Sequence, residues 1–118
     1  MNVDKLYMAL RKSWGADTAK GDWNQDCPSM NQCCVTALIV QDYLGGKLLK
    51  CPTENGDIHY WNKIGNGEID FTCDQFQFLG DEPLKEKAKT INRNRPLSYQ
   101  NVVKRYEILK QRVAEELK

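Results

Sequence analysis

Gln32-Cys33-Cys34-Val35-Thr36-Ala37-Leu38-Ile39-Val40-Gln41-Asp42-Tyr43-Leu44-Gly45-Gly46 reads as one helix with both ends marked. Wound at 3.6 residues per turn, residues 33–44 carry apolar side chains around nearly the whole circumference, the pattern of a central buried helix. Gly45-Gly46 supplies the positive φ that commonly closes a helix, and the N-terminus falls at Gln32-Cys33. A cysteine therefore stands at the start of the most buried element of the chain. There the helix dipole and unpaired N–H groups favour a thiolate and can hold a developing oxyanion.

Downstream the period changes from helical to alternating. Residues 47–51 read as a short strand ended by Pro52, and residues 58–64 (IHYWNKI) as a second. Gly65-Asn66-Gly67 is a turn, and residues 68–72 (EIDFT) form a third strand, which makes a small antiparallel meander. Short helices are expected at 74–78 and around 84–90, before Pro96. A final amphipathic helix within 97–118 follows from Tyr99, Val102, Tyr106, Leu109 and Val113, which step by three and four. Upstream, Val3, Leu6, Tyr7 and Leu10 predict a helix from Val3 to Trp14, capped by Asn2 or Asp4 and ended by Gly15. Residues 16–31 are polar and turn-rich, an irregular connection anchored by Trp23. The expected class is α+β, one domain over residues 1–118 with no internal repeat.

Composition agrees with one domain and removes several functions. The chain has 118 residues, 41% hydrophobic and 28% charged, with eight Gly and four Pro. That is ordinary globular composition, not collagen, disorder or low complexity. Five cysteines, no signal-peptide pattern and no apolar run near 18 residues point to a reducing, cytoplasmic setting without membrane association. The net charge of +1 conceals segregation: residues 85–112 hold nine Lys/Arg against two Glu, and residues 1–84 hold seven against twelve acids.

The single histidine, His59, falls on the second strand beside Trp61 and Lys63. That face is expected to be the less buried one, opposite Ile58 and Ile64. Cys33 on a helix start, His59 on a strand and Asp70 on the next strand follow the order of papain-like and transglutaminase-like cysteine enzymes. The chemistry needs a thiolate nucleophile, an imidazole to pair with it and protonate the leaving group, and a carboxylate to fix the ring. The strand register decides which acid serves. A two-residue turn at Asn66-Gly67 pairs Ile64 with Ile69 and sets His59 opposite Asp74, whereas a loop over 62–67 pairs Trp61 with Glu68 and sets His59 opposite Asp70. Asp70 is preferred because Asp-Phe-Thr echoes the Asp-x-Thr of transglutaminase-like folds, with Asp74 as the alternative. The oxyanion candidates are the Cys33 N–H with the amide of Gln32 or Gln25, neither at the papain-like spacing. Trp61 and Asn62 are candidate walls of a substrate cleft.

The strings Asn31-Gln32-Cys33-Cys34-Val35-Thr36-Ala37-Leu38, Val40-Gln41-Asp42-Tyr43-Leu44-Gly45-Gly46, His59-Tyr60-Trp61-Asn62 and Glu68-Ile69-Asp70-Phe71-Thr72, with Gln75-Phe76, closely resemble the YunG-like family of small bacterial proteins. Ser13-Trp14, Trp23, Pro28 and Ser29 fit the same pattern, and the resemblance covers about residues 10 to 80. The family's cysteine matches Cys33. Asn31 stands where the family leads one to expect Gly, and Cys34 where it leads one to expect Ala.

Together these residues predict a papain-like or transglutaminase-like α+β domain, with the Cys33 helix packed on the small sheet. The expected function is a thiol-dependent hydrolase or acyltransferase acting on an amide or ester of a small molecule or peptide, without a cofactor. A metal site on Cys27, Cys33, Cys34, Cys51, His59 and Cys73 lacks any CxxC pair. The competing class is a non-catalytic binding module whose basic segment 85–112 holds an acidic protein partner. No base-reading motif accompanies those charges, which argues against nucleic acid.

Overall fold

The computed structural model describes residues 1–118. Its elements are α1 (Val3–Ser13), α2 (Cys33–Leu44), β1 (Lys47–Pro52), β2 (Ile58–Ile64), β3 (Gly67–Ile69), α3 (Gln75–Leu79), β4 (Lys89–Ile91) and α4 (Gln100–Glu116), with short 3-10 turns at Lys85–Lys87 and Pro96–Ser98. The chain is α+β, with a four-stranded antiparallel sheet in the order β3-β2-β1-β4 and a helical C-terminus.

Helix α2 buries six consecutive residues, Val35 to Val40, because other elements cover it on every side. Leu6, Ala9 and Leu10 of α1 and Val102, Tyr106, Leu109 and Val113 of α4 join it in one core cluster with Leu48 of β1. Each fully buried Leu or Ile in such a core contributes roughly 1.5–3 kcal/mol. The helix ends where Gly45 and Gly46 take φ of +75° and +80°. At Gly46 a Cβ would also lie 2.3 Å from the Lys63 carbonyl oxygen, so the return into β1 leaves no space for a side chain.

Two expected elements are corrected. The helix around 84–90 is instead one 3-10 turn followed by β4, which pairs Ile91 with Leu48 and Thr90 with Leu49 on the outer edge of β1. An open strand edge with unpaired N–H and C=O groups outweighed the weak helical spacing there. The third strand is shorter than 68–72. It leaves the ladder after Ile69, which frees Asp70 to point elsewhere.

The connection between α1 and α2 is irregular but not loose. Thr18, Ser29 and Gln32 in it are fully buried and hydrogen-bonded, as buried polar groups must be. Thr18 Oγ1 donates to Gln32 Oε1 at 2.7 Å, Gln32 Nε2 donates to the Gly15 carbonyl at 2.9 Å, and Trp14 Nε1 donates to Thr36 Oγ1 at 2.9 Å. Trp23 Nε1 donates to the Pro28 carbonyl, which closes the loop on itself.

The segregated charge is partly paired within the chain. Lys85 meets Asp70, Arg93 meets Asp42, and Arg112 meets Asp17, in each case a cation of the basic segment with an acid from the first two-thirds. No helix is long and apolar enough to cross a membrane.

Candidate functional site

Cys33 is the first residue of α2 and is half-buried. The chain enters it through Asn31, the one non-glycine residue at positive φ, +60°. That is the position where the family resemblance leads one to expect Gly, and Asn is among the side chains that best tolerate the left-handed region. The turn is held by the Asn31 N–H, which donates to Gln75 Oε1 at 3.1 Å, and by Asn31 Nδ2, which donates to the Asp22 carbonyl at 2.7 Å. It delivers the Cys33 sulfur to within 3.8 Å of the Ile58 carbonyl oxygen, immediately before His59.

His59 is fully buried, which corrects the expectation of an open strand face. The His59–Trp61 face is covered by α3 and by the 3-10 turn that carries Lys85. Trp61 stacks on the imidazole at 5.3 Å with planes 11° apart, and Phe76 meets it edge-on at 4.5 Å. The ring is clamped on two sides.

Nε2 of His59 lies 2.6 Å from Asp70 Oδ2. Neither anticipated register is the observed one. The turn is Gly65-Asn66, with Ile64 opposite Gly67, Lys63 opposite Glu68 and Asn62 opposite Ile69. Continued by one step, this places Asp70 across from Trp61, so His59 reaches it on the diagonal, a span that long side chains bridge. Asp74, the alternative acid, accepts from Ser29 Oγ at 2.6 Å instead.

Asp70 has a second partner. Lys85 Nζ lies 3.1 Å from the same oxygen and 5.0 Å from the Trp61 ring centroid. Burial opposes the charge on Asp70, but His59 and Lys85 outweigh it and hold the carboxyl below its ordinary value. Burial likewise opposes protonation of His59. The Asp70 hydrogen bond and then the Cys33 side chain act the other way, and the imidazole is raised to about 9. Nδ1, the nitrogen that Asp70 does not hold, is buried and makes no hydrogen bond of ordinary geometry.

A narrow cavity of about 30 Å³ opens beside the thiol, lined among others by Cys33, Cys34, Ile58, Tyr60, Gln75 and Phe76. Trp61 and Asn62 do not line it. Trp61 backs His59 and donates its Nε1 to Glu68, while Asn62 is buried and donates to the Ala37 carbonyl, tying β2 to α2. Gln32 Nε2 donates to the Gly15 carbonyl, Gln25 is exposed, and neither residue lines the cavity beside Cys33. Burial pushes the Cys34 thiol up to about 12, and burial also raises Cys51 and Cys73. No group of three or more His, Cys, Asp or Glu residues is arranged to hold a metal ion.

Sequence reasoning missed Lys85 and Gln75. Lys85 was hidden in a run of similar charges. Gln75 stood within the family-like strings but showed no periodic or spacing signal of its own. Only one histidine exists, so the acid assignment has a direct readout. In an NMR titration, Asp70→Asn is expected to return the His59 imidazole toward its ordinary value, and Asp74→Asn to leave it unchanged. The reverse pattern would exchange the two acids.

A family model described as YunG protein matches residues 2–118. Among curated proteins, the chain is 40% identical over 75 residues to the uncharacterized protein YunG of Bacillus subtilis (strain 168), a match that covers 64% of this chain and 64% of that relative's length. No solved structure matches it.

Proposed function

The chain belongs to the YunG protein family, and for this member we propose thiol-dependent acyl chemistry at Cys33, with His59 as its acid–base partner and Asp70 orienting His59. The observation that carries the reading is the buried, sole imidazole. It is bonded through one nitrogen to a carboxylate and raised to about 9 by Asp70 and Cys33. An imidazolium that stays charged at neutral pH next to a helix-start cysteine is the ion pair that cysteine nucleophiles use. The order of Cys on a helix, His on a strand and Asp just past the next strand is similar to papain-like and transglutaminase-like enzymes.

The steps follow from these groups. The Cys33 sulfur attacks an amide or ester carbonyl carbon, forming a C–S bond and moving the carbonyl π pair onto oxygen. Collapse of that oxyanion breaks the C–N or C–O bond, and the leaving group takes the imidazolium proton. Water or an amine, deprotonated by the now neutral His59, attacks the thioester and releases the Cys33 thiolate. Asp70 keeps its charge throughout and fixes the ring.

Lys85 belongs to the same reading. By sharing Asp70 Oδ2 it holds the carboxylate ionised, and its ammonium limits how strongly that carboxylate can favour the imidazolium. The narrow, largely apolar cavity favours a small acyl group.

A small activated ester tests the proposal. Incubation with p-nitrophenyl acetate is expected to place one acetyl group per chain on Cys33, located by mass spectrometry, and none on Cys33→Ser. Acetylation spread evenly over the five thiols would refute the reading.

A further inference from the structure

We propose that the Gln75 side-chain amide is the oxyanion donor of this site. The inference rests on the reading of Cys33 as an acyl-accepting nucleophile, and it replaces Gln32 and Gln25 in that role. Gln75 is 3% exposed, and its two amide ends have opposite fates. Oε1 accepts the Asn31 N–H at 3.1 Å. Nε2 is buried and has no hydrogen-bond partner.

A buried amide donor left unmade costs about 1–3 kcal/mol, so native chains keep few of them. Gln75 lines the same cavity as Cys33, where an incoming carbonyl oxygen would complete its amide. The Asn31 bond fixes the orientation of the amide, because an N–H can be accepted only by the oxygen, and leaves Nε2 as the unpaired end. It also couples Gln75 to the left-handed turn that sets Cys33, so nucleophile and donor share one support. The second donor is the backbone N–H of Cys33. As the first residue of α2 it has no intrahelical partner, the first α-helical bond being from Thr36 N–H to the Gln32 carbonyl.

With the two donors in place, attack of the Cys33 sulfur forms the C–S bond and puts the carbonyl electron pair on an oxygen held by Gln75 Nε2 and the Cys33 N–H. The same contacts are weaker to the ground-state carbonyl, so they act on the rate of acyl transfer. Alkylation by iodoacetamide displaces iodide at an sp³ carbon and develops no oxyanion. Gln75 should therefore matter to one reaction of the same sulfur and not to the other.

Two variants are required. Gln75→Glu keeps an acceptor for the Asn31 N–H and removes the donor, and Gln75→Leu removes the amide without adding charge. Acetylation of Cys33 by p-nitrophenyl acetate is expected to slow about a hundredfold in both, in line with the loss of one oxyanion donor. Iodoacetamide alkylation of Cys33 in Gln75→Leu, which also loses the acceptor for the Asn31 N–H, is expected to fall less than about tenfold, so the ratio of the two losses reads the donor. Undiminished acetylation in Gln75→Leu would overturn the assignment, as would equal losses in both reactions, since the latter marks a residue that merely supports the fold. Parent protein whose Cys33 alkylates selectively but accepts no acetyl group would instead refute the acyl-transfer reading on which this one stands.

Discussion

His59→Ala is expected to slow acetylation of Cys33 by p-nitrophenyl acetate about a thousandfold near pH 7, and to abolish the preference of alkylating reagents for Cys33. Two losses combine. The sulfur loses its acid–base partner, and the leaving group loses its proton donor. Selectivity is a sharper readout than rate, because Cys73 is exposed and competes for any reagent. Burial and the charges of Asp70 and Asp74 raise the Cys73 thiol, and Cys34 is pushed up to about 12, so both are held largely as thiols at neutral pH. Exposure alone would favour Cys73, so a preference for Cys33 reads its pairing with His59. His59 is fully buried between Trp61 and Phe76, so truncation also leaves a cavity, and His59→Gln serves as the fuller-volume control. A folded His59→Gln protein with Cys33 still labelled selectively and at the parent rate would remove His59 from the mechanism.

The second large effect is on stability. The His59 imidazole is raised from 6.5 to about 9, so its pairing with Asp70 is fully present below about pH 6.5 and is lost as pH rises through about 9. Asp70 is lowered, so its share is present above the ordinary carboxylate value and is lost only as pH falls through that depressed value. Stability attributable to the pair therefore has a plateau in mildly acidic solution that ends near pH 6.5. It declines on the alkaline side by about 3 kcal/mol, from the linkage of roughly 1.4 kcal/mol per pH unit. Urea midpoints at pH 6 and pH 10 measure it. Other groups also titrate in that range, and the difference between the parent and Asp70→Asn isolates the pair: the variant should lose most of the decline. Parallel pH profiles for the two proteins would show that the buried ion pair does not link to folding.

The elements were legible because they are local. Helix α2 is recognisable from Val35 to Val40 alone, since only a helix covered on all sides tolerates apolar residues around its circumference, and Gly45-Gly46 marks its end wherever the rest of the chain lies. Strand β2 was legible in extent, Ile58 to Ile64, but not in which face is covered. Alternation separates the two faces without saying which one another element will bury. Here both are covered, one by α2 through Asn62 and Ala37, the other by Phe76 and the Lys85 turn. The strand at Lys89–Ile91 was missed for a related reason: it exists because the outer edge of β1 needs partners, a demand invisible in its own three residues.

The site divides the same way. The residue types and their order, Cys33, His59 and then Asp70, are properties of the chain and could be picked out as such. The bond from His59 to Asp70 depends on a register set by a turn at Gly65-Asn66, one residue away from the turn that the glycines suggested. Moving a two-residue turn by one position shifts every cross-strand pair by two, so Ile64 meets Gly67 and not Ile69, and register is the feature that local sequence specifies least and contact geometry most. The near-neutral total charge hid an acidic two-thirds and a basic segment, and folding closed three ion pairs between them, one on the acid that holds the histidine. The amide of Gln75 was anonymous in sequence. A glutamine acquires a role only when one end of its amide is satisfied and the other is left facing a cavity. Short-range periodicity and composition thus determined the elements and the cast of residues. Register, burial of the second sheet face and the unpaired amide were decided by tertiary contacts, because each depends on what lies across a gap and not along the chain.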